Sequence, residues 1–163
     1  MAGTLAAKTP RTLIPVPILD ANGKNIDLRR YRGRTIVLMI FSTACDDCIR
    51  MIDVMNRIQE SLGPKGLQVI GAAGDGNAKY LIGPFTQRYR PSFPLGVIEK
   101  DAIIKVAEIP SGMRPVVPIL MFIDRWGMVR EQYYGNDPVV KSGERALKAL
   151  AQAMIGITPV GTR

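Results

Sequence analysis

The run TIVLMIF, residues 35–41, constrains this chain of 163 residues more than any other. After Thr35 it offers no polar side chain, so neither face of an extended segment can meet water. A strand of that kind is buried on both sides and sits inside a largely parallel sheet. A parallel sheet needs crossover connections, and the following residues supply one. Ile49, Ile52, Met55, Ile58 and Leu62 recur every three or four positions and define one apolar helical face. Gly63-Pro64 ends that helix. LQVIGAA, residues 67–73, is a second buried strand, ending in the Gly-rich turn GDGN.

The rest of the chain extends the same alternation. A helix is expected near 78–90, then a short extended segment in FPLGVI and a short helix in KDAIIKVAEI. VVPILMFID is a strand containing Pro118, RWG is a turn, and MVREQYYG pairs back as a hairpin partner. Asp137 before Pro138 reads as an N-cap followed by proline at the first helical position. Leu147, Leu150, Ala151 and Met154 line one face of a last helix. Near the N-terminus, Asn22-Gly23 between two apolar stretches reads as a hairpin turn. The pattern predicts an α/β fold with a mixed central sheet flanked by helices. We expect a flexible segment over 1–12, one domain over 13–158, and a tail over 159–163.

Composition narrows the function classes. No run approaches the roughly 18 apolar residues of a membrane span, and the N-terminal residues lack a signal-peptide core. Membrane association would therefore need a leader or anchor outside this sequence. The expected location is extracytoplasmic (periplasmic) if such a leader is missing here, and cytoplasmic otherwise. The formal net charge is +8, and RRYRGR, residues 29–34, holds four arginines. With a single tyrosine interleaved, that run reads as a solvated connection rather than a contact for nucleic acid or a membrane surface.

The only two cysteines, Cys45 and Cys48, stand in FSTACDDCIRMI, between the buried strand and the helix. Zinc would need about four ligands, and the chain has no histidine. A closed metal site could form only by pooling thiolates from two chains. A redox dithiol fits the placement better. The first cysteine lies where free backbone N–H groups and the helix dipole stabilise a thiolate. The second lies within one helical turn, close enough for a disulfide.

The segment LDANGKNIDLRRYRGRTIVLMIFSTACDDCIRMIDVMNRIQESLGPKGLQVIGAAGD resembles the start of the TlpA-like thiol-disulfide oxidoreductases of the thioredoxin superfamily. The resemblance resumes at FPLGVIEKDAIIKVAEI and VVPILMFIDRWGMV, and covers roughly residues 15–155. It implies a thioredoxin fold with an N-terminal β-hairpin and a central insertion. It implies that Cys45 is the nucleophile and Cys48 the resolving thiol. It implies that Val117 and Pro118, joined by a cis peptide bond, form the loop that offers backbone groups to substrate. No cofactor is implied. The partners are protein disulfides or thiols and an upstream electron donor, with no nucleic acid, and the chain is expected to be a monomer.

Several positions depart from the family pattern. Ala44 replaces the usual tryptophan before the first cysteine. Met39 and Met51 occupy the places where relatives carry a buried acid, and Asp53 replaces a helix-kinking proline. Asp46 and Asp47 are expected to modulate the thiols. Each charge, about 7 Å from the Cys45 sulfur, opposes a thiolate by about 0.6–2.4 kcal/mol for effective dielectrics of 80 to 20. This predicts a disulfide reductant. The alternatives are a thiol peroxidase, with Ser42 three residues before the reactive cysteine, a copper-binding relative, and a redox-inactive binding module on the same fold.

Overall fold

The computed structural model describes residues 7–158. Six strands form one sheet: β1 (Arg11–Thr12), β2 (Thr35–Phe41), β3 (Leu67–Ala73), β4 (Leu95–Val97), β5 (Ile119–Ile123) and β6 (Met128–Tyr133), in the order β1-β6-β5-β2-β3-β4. Four helices accompany them: α1 (Asp46–Leu62), α2 (Ala78–Tyr89), α3 (Lys100–Val106) and α4 (Glu144–Ile155). β2–β3 and β3–β4 are parallel, while β5 runs antiparallel to both β2 and β6.

β2 is buried at every position, as its composition requires. Alternation divides its side chains between two cores. Val37, Met39 and Phe41 pack with α1, α2 and α4. Ile36, Leu38 and Ile40 pack on the other face, with α3 and the N-terminal segment. α1 buries Cys48, Met51, Ile52, Met55, Ile58 and Leu62, so its inward face is broader than the stripe read from the sequence.

Three local expectations change. Arg11 and Thr12 pair with Val129 and Met128, which moves the start of the ordered domain back from residue 13. The buried Arg11 guanidinium holds this short strand by donating to the Val106 carbonyl (3.0 Å) and to Gln132 (2.5 Å). Residues 1–6 of the segment expected to be flexible, and the expected tail 159–163, lie outside the described residues. The Asn22-Gly23 hairpin is reduced to one bridge, Leu19 to Asn25, because Leu19 also exchanges two backbone hydrogen bonds with Val97 at the sheet edge (3.0 and 2.7 Å). Asp137 does not cap α4. Its carboxylate accepts from Val139 N (2.9 Å) and stabilises only the 3-10 turn Val140–Ser142. Gly143, at φ +94°, then redirects the chain and α4 begins at Glu144.

Candidate active site

β2 and β3 are parallel, so the loops after both emerge at one end of the sheet. The first carries Ser42–Cys45, the second Gly74–Asn77. Asp75 ties them together: its carboxylate accepts from Thr43 N (2.9 Å) and from the Thr43 hydroxyl (2.6 Å). Ala44 N donates to Ser42 Oγ (3.2 Å). The approach to Cys45 is thus held by side-chain oxygens on both sides.

Cys45 is the N-cap of α1, in an extended conformation, and its sulfur accepts from Cys48 N (3.1 Å). One of the unpaired N–H groups of the helix start is thereby spent on the sulfur. The two thiols are free and differ in environment: Cys45 is half-buried and Cys48 fully buried. Burial pushes the Cys48 thiol far up from its ordinary range, and its hydrogen bond to Cys45 and the nearby charge of Asp47 push the same way. A backbone hydrogen bond with Ser42 pulls against them, without overcoming the burial. At neutral pH Cys48 keeps its proton.

Asp46 and Asp47 occupy the first turn of α1 and are exposed. Asp47 forms an ion pair with Arg50, one turn on. That pair offsets part of the Asp47 field at the sulfurs, and both partners are so exposed that its own contribution to stability is small. Met39 and Met51 are buried in the core under the dithiol. Ala44 is exposed, so no aromatic covers the pair from that position.

The Val117–Pro118 peptide is cis and stands between two hollows flanking the Ser42–Cys48 segment. Pro118 lines a groove of about 440 Å³ with Asp47, Arg50, Met51, Val54 and Leu147. Val117 lines a second cavity of about 210 Å³ with Ser42, Gly74 and Asp75. Gly135, at the end of β6, backs this loop and donates to the Val116 carbonyl (2.7 Å). A Cβ at 135 would meet the Val117 carbonyl oxygen in a clash, its carbon at 2.6 Å and Pro118 N at 3.0 Å.

The site thus gathers Cys45, Cys48, Asp46, Asp47, Val117 and Pro118 at one end of the sheet. Asp75, Arg50 and Gly135 were not singled out from sequence. Arg50 was detectable as an opposite charge three residues from Asp47. Asp75 was detectable because parallel neighbours bring their loops together. Gly135 carries no local signal, since its need arises from a segment 18 residues earlier. Among the described residues no cluster of three or more His, Cys, Asp or Glu could hold a metal ion.

The fold and the placement of the dithiol define a thioredoxin-fold protein with a C-x-x-C pair at the start of its first helix. The chain belongs to the AhpC/TSA family, whose model matches residues 7–132. It is similar to the thiol-disulfide oxidoreductase ResA of Bacillus thuringiensis subsp. konkukian, with 25% identity over 142 residues, covering 87% of this chain and 74% of that one. The ResA of Bacillus anthracis is 27% identical over 119 residues, 73% of this chain and 65% of its own length. Among solved structures, a thiol:disulfide interchange protein from Chlorobium tepidum superposes with a TM-score of 0.75 at 17% identity, covering 93% of this chain and 100% of its own. The thioredoxin domain of a thiol-disulfide oxidoreductase from Bacteroides vulgatus gives 0.71 at 14% identity, covering 92% and 99%. The structural likenesses establish the thioredoxin fold.

Proposed function

We propose that this thiol-disulfide oxidoreductase works as a reductant of protein disulfides, with Cys45 attacking and Cys48 resolving. The asymmetry of the two thiols carries this reading. Cys45 is reachable, stands at a helix N-terminus and receives the Cys48 N–H. Cys48 is buried and holds its proton.

The Cys45 thiolate attacks one sulfur of a partner disulfide, and the other partner sulfur leaves as a thiolate that takes a proton from water. Cys48 then loses its proton and attacks Cys45 Sγ. The Cys45–Cys48 disulfide forms, the second partner sulfur leaves, and two electrons have passed to the partner. An upstream dithiol must return them. Val117 and Pro118 supply the edge along which the partner chain lies.

The second step is the slow one. Met39 and Met51 stand where an acid could relay the Cys48 proton, so that proton must pass to the leaving sulfur or to solvent. Asp46 and Asp47 disfavour a thiolate in the reduced pair, which favours giving electrons away. The test is the reduction potential of the pair in dithiol buffers, read by alkylation and mass. A couple below about −250 mV supports a reductant, and one near −120 mV would identify an oxidant instead. Cys48→Ser should trap mixed disulfides with partners. If it traps none while Cys45 still alkylates, the assigned order of attack is wrong.

A further inference from the structure

The arginine run at 29–34 does not stand alone. The Gly33 N–H donates to the Arg125 carbonyl (2.9 Å), which fastens the run to the β5–β6 turn. Arg32 lies against Gly127 of that turn. Arg30, Arg32, Lys65 and Arg125 are exposed. Among the described residues, no carboxylate lies within ion-pair distance of these four or of Arg34. The nearby acids are already engaged, Asp27 with Arg29 and buried Asp124 with Arg130. Arg34 donates to the Gly63 and Leu67 carbonyls (2.6 and 2.8 Å), yet its Nε is buried without a partner among the described residues.

Apolar groups stand beside these cations. Trp126 is 36% exposed at the tip of the turn, with the Arg125 guanidinium 4.4 Å from its ring centre. Ile14 is 49% exposed, next to Leu13, whose N–H donates to the Gly127 carbonyl (3.0 Å). All of this lies at the end of the sheet where β2 starts and β5 finishes. The dithiol lies beyond the other end of β2, and seven extended residues span about 20 Å.

We propose that this basic end docks on an anionic phospholipid surface. The arginines face the headgroup phosphates, and Trp126 and Ile14 enter the boundary between headgroups and acyl chains. Interfacial tryptophan beside basic residues is the chemistry of that layer. An exposed Ile14 has no counterpart on a nucleic-acid backbone, and a single aromatic makes no stacking platform for bases. In this orientation the dithiol points away from the bilayer, free to meet partners.

Trp126 is the sole tryptophan, so its emission reports this end of the molecule directly. The experiment titrates the full chain with vesicles of phosphatidylcholine alone, and of phosphatidylcholine mixed with phosphatidylglycerol, at low and high salt. The expected result is co-sedimentation and a blue shift with the anionic vesicles only, weakened by salt. Each basic residue near such a surface contributes about a fivefold gain in affinity. Arg30→Glu/Arg32→Glu/Arg125→Glu should therefore bind at least about 100-fold more weakly. Lys79→Glu/Lys100→Glu/Lys105→Glu changes the net charge equally on other surfaces and should retain the blue shift. Far-ultraviolet circular dichroism verifies that both variants fold. The proposal fails if anionic vesicles give no shift, if both variants weaken binding alike, or if duplex RNA shifts Trp126 and the vesicles do not.

Discussion

Gly135→Ala tests whether the Val117–Pro118 edge positions the partner disulfide. Gly135 has no left-handed backbone angle, so alanine meets no conformational penalty there and the effect is purely steric. The new Cβ would lie 2.6 Å from the Val117 carbonyl carbon, against ordinary contact beginning at 3.4 Å. The loop must therefore retreat by at least about 0.8 Å, because the Val117 carbonyl oxygen is closer still, or the end of β6 must yield. Overpacking of this kind costs about 1–3 kcal/mol, which a urea titration would resolve. A displacement near 1 Å at a substrate-positioning edge can lower rate about 100-fold. We expect kcat/KM for a protein disulfide to fall about 10- to 100-fold. Alkylation of Cys45 by iodoacetamide should change less than about threefold, because α1 and Asp75 hold the cysteine independently of this loop. Equal losses with both reagents would mean that the clash reaches the dithiol itself. Unchanged exchange in a destabilised protein would remove the loop from substrate binding.

Further outcomes concern the thiols and their supports. Burial is the largest cause of the raised Cys48 thiol and persists in a mixed disulfide. Its resolution, followed by acid quench, should accelerate close to tenfold per pH unit between about pH 6 and 8. The raised Cys48 proton affinity also stabilises the reduced fold below the unfolded thiol value of about 8.5. That stability is lost as pH rises above it, at up to about 1.4 kcal/mol per pH unit. Urea titrations at pH 8 and 9.5 should show the loss in the reduced protein and not in the oxidised one. Asp75→Ala leaves the Thr43 hydroxyl and N–H without their acceptor and should cost about 1–3 kcal/mol. Asp46→Asn/Asp47→Asn should speed Cys45 alkylation about two- to threefold at low ionic strength, with Arg50→Gln slowing it; salt should erase both effects.

Long-period signals were legible in the sequence, and contacts between distant segments were not. TIVLMIF announced a strand with no solvent face, and every residue of β2 is buried. Pro118 in an apolar run marked an irregular strand entry, and the structure begins β5 one residue later. Asp137-Pro138 carried a true capping signal, but only for one turn, since Gly143 turns the chain before α4 can start. β1 has two residues and no periodicity to read; its place depends on Arg11 reaching the Val106 carbonyl 95 residues away. At the site, the cysteines and their aspartates were visible because they are adjacent in sequence. Asp75 and Gly135 act across the fold, so their roles emerge only from the sheet order.

The sheet order also decides which parts of the molecule can open without disturbing the reactive pair. β2 and β5 are neighbours in the middle, and both are buried along their whole length. One delivers Cys45 and the other begins just after Pro118. In amide-exchange terms both belong to the most protected unit, whereas the two-residue β1 and three-residue β4 at the margins exchange first. Fraying at the margins therefore leaves the distance between Cys45 and the Val117–Pro118 loop unchanged. Opening of β2 or β5, or displacement of the loop before β5, is what would separate them.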